Sequence, residues 1–509
     1  MTRSLFLAAA VIGALSARSP SWAGADAAPA STTTFSSVLI EGAPSLPRSR
    51  VDAAVAVHAG DPYEPAKVDF ATESLLSLLQ NSGYLEASVE SRVVRREGAF
   101  ELTLRSTEGP LYRFGETRIE GLSAVKEKHV RRELPYRPGD PYERPLLFTA
   151  QSRLYGLGFF EDLSIRASTT AAKTAEVLIG LQEKPMKSVN TGVGYGSEEQ
   201  ERFSARLTHG NFLGRAYRTE FGALYSRIWL EYRGEFVNRH LLGTDIENRL
   251  QASWRREDRR GYDIERAGGQ CSLGRALPYR LRGTFLYKLQ RSALFNLNPE
   301  TAASARRHDL ASSVALLANR DTTDDPFFPT KGALLQGRIE RSGGVLGGDV
   351  HLNRASLEAS RYWTPWKRLT AAFSARAGVV RQFGRASEVP VYERFFMGGA
   401  NTVRGYRERG VGPVDSLGAP LGGNVMTGAN AELRFPLAWR FWGAVFVDGG
   451  QVAAHEDLAV PGQWRYGTGF GLRLRTPVGP LRLDAGYKLS RQPADGSDWR
   501  VHFSLGEAF

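Results

Sequence analysis

The sequence predicts an all-β transmembrane barrel of sixteen antiparallel strands over residues 188–509, preceded by two small α+β modules outside the membrane. Three observations carry that prediction. From Ser188 onward, segments of about ten residues alternate between apolar and polar side chains, the period of a strand with two different faces. Between residues 35 and 185, one order of strands and helices occurs twice. After residue 23, no apolar run approaches the roughly 18–20 residues that a membrane-spanning helix needs.

The chain opens MTRSLFLAAAVIGALSARSPSWA. Arg3 precedes an apolar run from Leu5 to Leu15, and Ser21-Trp22-Ala23 sets small residues where a signal peptidase requires them. The run is too short to span a bilayer. Residues 1–23 are therefore expected to be an export signal, with the mature chain beginning near Gly24.

The repeated module begins at residue 35. The pentapeptide GDPYE starts at Gly60 and again at Gly139, 139 − 60 = 79 residues later. Each copy runs into a helical pattern that stops at a glycine-aromatic pair, Gly83-Tyr84 and Gly158-Phe159, glycine supplying the left-handed cap. A strand ending in glycine precedes each copy (SSVLIEG, FGETRIEG). Two alternating strands follow it (ASVESRVV with FELTLRS, LSIRAS with AEVLIGLQE). The order strand, helix, helix, strand, strand occurs twice, which predicts tandem modules at 35–108 and 111–185.

The barrel follows from the alternation. In YGTGFGLRLRT, Tyr466, Thr468, Phe470, Leu472 and Leu474 share one face, while Gly467, Gly469, Gly471, Arg473 and Arg475 share the other. In PLRLDAGYKLS, Leu481 to Leu489 oppose Arg482, Asp484, Gly486, Lys488 and Ser490 in the same way. A lipid-facing exterior and a wet lumen account for arginine and aspartate on the second face of strand after strand. Sixteen such segments start near residues 188, 202, 215, 228, 244, 263, 279, 307, 331, 350, 368, 425, 440, 463, 478 and 498, an even number that lets the ends meet antiparallel. Links at 277–278, 437–439 and 476–480 are short; the longest, about 382–424, leaves the other end. In the closing WRVHFSLGEAF, Trp499, Val501, Phe503 and Leu505 alternate outward and Phe509 is a terminal aromatic; Gly506 is a place to kink and Glu507 breaks the alternation.

The long link contains GGANTVRGYRERGVGP. On the strand after it, Val425, Thr427, Ala429, Ala431, Leu433 and Phe435 face lipid by parity, which places Glu432 in the lumen. Val445 and Val447 likewise place Asp448 in the lumen. If the link folds inward, Arg404 can meet both carboxylates through its planar fork, Gly405 lets the backbone approach the wall, and Tyr406 is a rigid anchor. The alternative is an external loop whose arginines bind lipid phosphates. The first barrel strand, SVNTGVGYGS, carries Gly192, Gly194 and Gly196, which weaken a strand and permit bending, or leave lumen space. It must pair with the sixteenth to close the barrel.

Composition narrows the function classes. The net charge is +12, without a long block of Lys or Arg, which fits contact with an anionic surface such as lipid phosphates. Nucleic acid is not an expected partner, because no recognition helix, finger or RNA-binding signature is present. One cysteine, Cys271, excludes an internal disulfide and a cysteine-based metal site. The eight histidines lack ligand spacing, and there is no GxSxG, HExxH or P-loop. No cofactor, metal or catalytic activity is expected.

The repeated module resembles the POTRA domain, and FFMGGANTVRGY (395–406) resembles the signature loop of the outer-membrane assembly family that includes BamA, TamA and the two-partner secretion translocators. NRDTTDDPFFPTKG (319–332), NAELRFPL (430–437), VFVDGGQV (445–452) and LRLRTPVGPLRLDAGY (472–487) are similar to further family segments, in family order. The resemblance is closest to TamA-like members, although TamA has three POTRA domains and BamA five. It implies an outer-membrane barrel with periplasmic POTRA modules whose exposed edges, near 86–95 and 162–168, pair with unfolded client chains. It implies contact between Arg404 and Glu432 and Asp448. It implies a lateral gate between the first strand (Asn190, Gly192, Val193, Gly194) and the last (Phe503, Leu505, Gly506, Phe509). The function expected is insertion of other barrel proteins, such as autotransporters, from unfolded outer-membrane or secreted clients. The alternative is a two-partner secretion translocator exporting a polypeptide through the lumen; a passive pore would leave the two modules unexplained. Expected partners are the clients, outer-membrane lipid and, from the TamA likeness, an inner-membrane-anchored TamB-like protein.

Overall fold

The computed structural model describes residues 33–509 apart from 43–44, 97, 305, 367, 385–387, 456–460, 477–478, 491–495 and 506–509. The expected export signal, Gly506 and Phe509 lie outside the described residues. The chain divides into two compact units. One holds the first module and most of the second. The other holds the barrel together with residues 121–133 and 154–163 of the second module.

Each module has the expected order. The first runs β1 (Phe35–Glu41), α1 (Arg48–Val55), α2 (Pro65–Asn81), β2 (Ser88–Arg96) and β3 (Ala99–Thr107). The second runs β4 (Arg113–Glu120), α3 (Glu127–Arg131), α4 (Arg144–Leu157), β5 (Phe160–Thr169) and β6 (Thr174–Glu183). The sheets are ordered β1-β3-β2 and β4-β6-β5, so β2 and β5 are edge strands. In α2, Pro65 sits at the first turn, where its missing N–H costs nothing. Val68, Ala71, Leu75 and Leu79 follow at helical spacing and bury one stripe against Phe35, Leu102 and Leu104 of the sheet.

The recurring GDPYE has a physical reason. Asp61 accepts the His58 amide at 2.9 Å and Asp140 the Arg137 amide at 2.8 Å, the side-chain turn that Asp favours. Gly60 and Gly139 sit at φ +97° and +93° and donate to the carbonyls of Phe35 and Phe114. Tyr63 and Tyr142 then pack on those phenylalanines, with ring centroids 5.4 and 5.0 Å apart. A second device also recurs. Glu108 binds the amide and hydroxyl of Ser45, and Glu183 binds the amide and hydroxyl of Ser123 plus the amides of Ala124 and Val125. The modules are joined by Glu86, which accepts from the Tyr112 hydroxyl and the Lys173 ammonium, each at 2.6 Å. Those two donors hold the Glu86 carboxyl below its ordinary pKa.

The barrel strands are β7 (Lys187–Gly196), β8 (Gln200–Phe212), β9 (Tyr217–Ser226), β10 (Trp229–Asn238), β11 (Glu247–Arg259) and β12 (Tyr262–Leu277). They continue as β13 (Leu281–Phe295), β14 (His308–Asp321), β15 (Gly332–Ser342), β16 (Leu352–Trp366) and β17 (Leu369–Gln382). The last five are β18 (Val425–Pro436), β19 (Phe441–Ala453), β20 (Arg465–Thr476), β21 (Gly479–Lys488) and β22 (Trp499–Leu505). They form one closed sixteen-stranded antiparallel sheet, as expected, and the largest offset in a strand start is at Glu247, three residues after the expected 244. Phe203, Phe221, Ile339, Phe373, Val447 and Phe470 are exposed on the outer wall. Among the described residues no helix is long and apolar enough to cross a membrane. Where the barrel unit includes module segments, Asn211 donates to the Ala124 carbonyl at 2.9 Å and His240 Nε2 lies 2.6 Å from Glu133.

Candidate functional site: an arginine held inside the barrel

The link between β17 and β18 folds into the lumen. Two short bridges, Phe395 with Gly423 and Met397 with Val411, close it on itself, and Met397, Val403, Tyr406 and Val411 pack with Val452 of β19. Arg404 is 4% exposed, and Asp448 is fully buried. Its Nε and Nη2 donate to Asp448 Oδ2 and Oδ1 at 2.7 and 2.8 Å, a two-point grip that the planar guanidinium makes and an ammonium does not. The Arg404 amide adds a third bond to Asp448 at 3.1 Å. Nη1 donates to Glu432 Oε2 at 2.5 Å, and the guanidinium carbon lies 3.4 Å from the Phe446 ring centroid.

The structure thus brings together Arg404, Glu432 and Asp448. The register explains how. Asn430 faces Asp448 and Glu432 faces Phe446 across β18 and β19, so the two carboxylates lie diagonally on one lumen face. Tyr406 is buried and donates its hydroxyl to the carbonyls of Ser490 and Tyr466. Gly405 has φ +97°, and a Cβ there would lie 3.2 Å from the Tyr487 backbone.

Further partners were not singled out from the sequence. Asp484, fully buried on β21, lies 3.9 Å from Arg404 and is paired with Arg473 at 2.6 Å and Arg482 at 2.5 Å. Arg473, expected to face an open lumen, is instead 7% exposed and also 3.4 Å from Glu432. The parity that places Glu432 inside also puts Asp484 on the lumen face, but it does not say which lumen residues Asp484 meets. Gly467 and Gly486 are a second omission. A Cβ on Gly467 would lie 2.1 Å from the Arg404 carbonyl oxygen, and one on Gly486 would lie 2.4 Å from the Gly405 nitrogen. These lumen glycines of β20 and β21 are the groove in which Arg404-Gly405 lies.

The seam closes the same wall. Among the described residues β22 pairs with β7 at Ser504↔Gly196 and Leu505↔Tyr195, while β7 pairs with β8 at every position from Lys187 to Gly196. The Ser197 amide donates to the Phe503 carbonyl at 2.9 Å, and the Tyr195 and Phe503 rings are 6.0 Å apart. Val193 is 77% exposed on the outer face, and Asn190, Gly192 and Gly194 alternate with it on the other. A cavity of about 620 Å³ inside the barrel reaches from Arg404 and Glu432 to Tyr195, Ser197 and Phe503 at the seam.

The paired carboxylates of TDDP are structural. Asp324 accepts the Thr330 hydroxyl and the amides of Thr330 and Lys331, which hold its carboxyl well below the usual aspartate range. Asp325 accepts the amides of Phe327 and Phe328.

Comparison with known proteins agrees with this architecture. Residues 33–109 and 112–184 match the POTRA family described as a surface antigen variable number repeat. The outer membrane protein assembly factor BamA of Nitratidesulfovibrio vulgaris is 26% identical over 444 residues, 84% of this chain and 55% of that protein. The chain spans 55% and 59% of the length of the first two curated BamA relatives. Among solved structures, BamA from Haemophilus ducreyi lacking POTRA domains 1–3 is similar in fold at 18% identity, with a TM-score of 0.68 over 93% of this chain and 99% of that one. CdiB from Escherichia coli is similar in fold at 16% identity, with a TM-score of 0.55 over 96% and 92%. The barrel is therefore an outer-membrane barrel, and its POTRA modules lie in the periplasm. Because residues 211–509 match the Omp85 superfamily domain, and with it more than half of its length, the chain belongs to the Omp85 superfamily.

Proposed function

We infer that the protein is an outer-membrane assembly factor that receives unfolded clients on its POTRA modules and passes them to the seam between β7 and β22, where barrel proteins are inserted laterally. The observation that carries this reading is the seam. Its first strand is paired along its whole length on one side, is exposed at Val189 and Val193, and carries glycines at 192, 194 and 196. Such a strand can exchange its partner for an incoming one, since main-chain groups are the common currency of any strand. The edges of β2 and β5 offer the same chemistry in the periplasm. Arg404 acts as an internal strut that fixes β18 to β21, the stretch of wall that leads to the seam, and takes no part in bond chemistry. A TamB-like inner-membrane partner belongs to the same reading and would co-purify with the full-length chain.

Photocrosslinking in cells tests it, with one probe at Val193 on the outer seam and another at Glu358, which lines the lumen cavity. Capture at Val193 of C-terminal strands of other barrel proteins supports insertion. Capture at Glu358 of one long soluble exoprotein, with nothing at Val193, overturns it in favour of a secretion translocator.

A further inference from the structure

We propose that Tyr392 and Glu393 form a second lock on the lumen loop, separate from the Arg404 lock and seated on a different sector of the wall. The proposal rests on reading the loop as an internal strut and assigns that strut a root as well as a tip.

The root is the segment from Val389 to Glu393. Its valines are buried against different strands. Val389 packs with Ala311, Leu352 and Val380, and Val391 packs with Tyr262, Ile264 and Leu294. The two polar side chains that follow are buried as well. The Tyr392 hydroxyl donates to Asp309 Oδ2 at 2.7 Å, and Asp309 is itself buried near the start of β14. Glu393 accepts from Arg354 Nη2 of β16 at 2.6 Å, and the same nitrogen reaches the Glu393 carbonyl. Arg354 is in turn held 3.6 Å from Glu340 of β15, a buried carboxylate that also pairs with Arg338. Arg266 of β12 donates to the Tyr392 carbonyl at 3.5 Å and lies over its ring at 5.6 Å.

The placement gives these contacts their meaning. The root is bound to β12, β14 and β16, whereas Arg404-Gly405-Tyr406 is bound to β18, β19, β20 and β21. A loop fixed only at its tip would leave its entry free to swing, and the guanidinium would have to find its carboxylates from many positions. A root locked on its own sector shortens the free chain and lowers the ordering cost of docking the tip. Tyr392, Glu393, Asp309 and Arg354 are positioning residues in this sense. Buried, hydrogen-bonded ion pairs of this kind specify one arrangement even where their net stabilisation is small.

Hydrogen exchange measured by mass spectrometry on the full-length protein in lipid nanodiscs separates the two locks, because root (388–397) and tip (398–412) peptides are read in one experiment. Tyr392→Phe combined with Glu393→Gln is expected to speed exchange in the root peptide by about tenfold or more, the effect of losing hydrogen bonds to charged groups. Arg404→Ala is expected to speed exchange in the tip peptide and leave the root protected. Asp309→Asn, whose amide oxygen still accepts from Tyr392, should keep the root protected, and Asp309→Leu should not. A heat-modifiable gel shift confirms that each barrel is folded; if the double variant does not fold, Tyr392→Phe alone is used. An unchanged root peptide, or a root released as fully by Arg404→Ala as by its own substitutions, overturns the second lock. A tip that stays protected in Arg404→Ala overturns the strut reading instead, and the root result still decides the root.

Discussion

Substituting Arg404 perturbs the site where the loss can be worked out atom by atom. Glu432 would keep Arg434 at 2.7 Å and Arg473 at 3.4 Å, and Asp484 would keep Arg473 and Arg482. Asp448 would keep, among the described residues, the Asn430 amide at 2.8 Å and, while the loop stays docked, the backbone amide of residue 404 at 3.1 Å, and nothing charged. It is fully buried, so Arg404→Ala strands one carboxylate rather than three. Breaking a buried pair from one side costs about 3–5 kcal/mol, or roughly a hundredfold to a few thousandfold in the equilibrium that releases the loop. Arg404→Lys keeps the charge but loses the two-point grip, a loss of about 1.5–3 kcal/mol, the worth of a hydrogen bond to a charged group. Proteolysis of the folded barrel by an enzyme that cuts at aliphatic residues reads this directly. Val403 and Val411 are buried, so cleavage there tracks the open fraction when reclosing is fast. The expected order of cleavage rate is Ala above Lys above wild type. Adding Asp448→Asn to Arg404→Ala removes the stranded charge and should recover part of the protection, a non-additivity of about 0.5–3 kcal/mol. A loop in Arg404→Ala as resistant as wild type, or full resistance with lysine, would refute the reasoning.

Three other outcomes follow from the same geometry. Gly486→Ala and Gly467→Ala each place a methyl within 2.4 Å of the Arg404-Gly405 backbone, so both should release the loop in the cleavage assay while the barrel still shows a heat-modifiable shift. A disulfide between cysteines at Gly196 and Ser504, neighbours across the seam, should in a Cys271→Ser background abolish insertion of client barrels and restore it on reduction; undiminished insertion in the oxidised protein counts against lateral opening. Burial pushes the Glu183 carboxyl up, but the donors at Ser123, Ala124 and Val125 outweigh it and hold the group below its ordinary value. The folded pKa is therefore below the unfolded one, so its stabilisation is complete above about pH 4.3, the unfolded value, and lost as pH falls through the folded one. Glu183→Gln should cost about 1–3 kcal/mol at neutral pH and flatten the acid limb of the module's melting curve, followed by its helical circular-dichroism signal.

The reach of the sequence ends where one-dimensional periodicity ends. Alternation assigns a face, and the valines at 445 and 447 were enough to turn Asp448 inward. The repeated GDPYE was legible because its turn, its positive-φ glycine and its tyrosine contact recur together. Parity does not say which lumen residues meet. Asp484 joins Arg473 because Gly471 faces Asp484 and Arg473 faces Arg482, a register fixed by pairing between strands. Tyr392 and Glu393 lie in a link with no period at all, so nothing in the chain announces that they cross to Asp309 and Arg354.

The same limit applies to the chain's cations. A net charge of +12 reads, from composition, as a surface meant for anionic lipid. In the folded barrel some of those cations lie inside, where single carboxylates are shared by several of them. Glu257 lies within 4 Å of Arg255, Arg259 and Arg266, Glu340 of Lys288, Arg338 and Arg354, and Glu432 of Arg404, Arg434 and Arg473. Ten of these twelve groups come from six strands of the wall and one from a seventh, leaving Arg404 as the member supplied by the loop. Guanidinium groups suit this arrangement, since each can bridge acceptors on neighbouring strands in one plane. The Glu432 cluster is thus a place where the wall's own cross-strand pairing takes in a residue from outside the sheet, as the Glu340 cluster does where Arg354 meets Glu393. That is why a single arginine can couple the position of a long loop to the register of β18, β19 and β20.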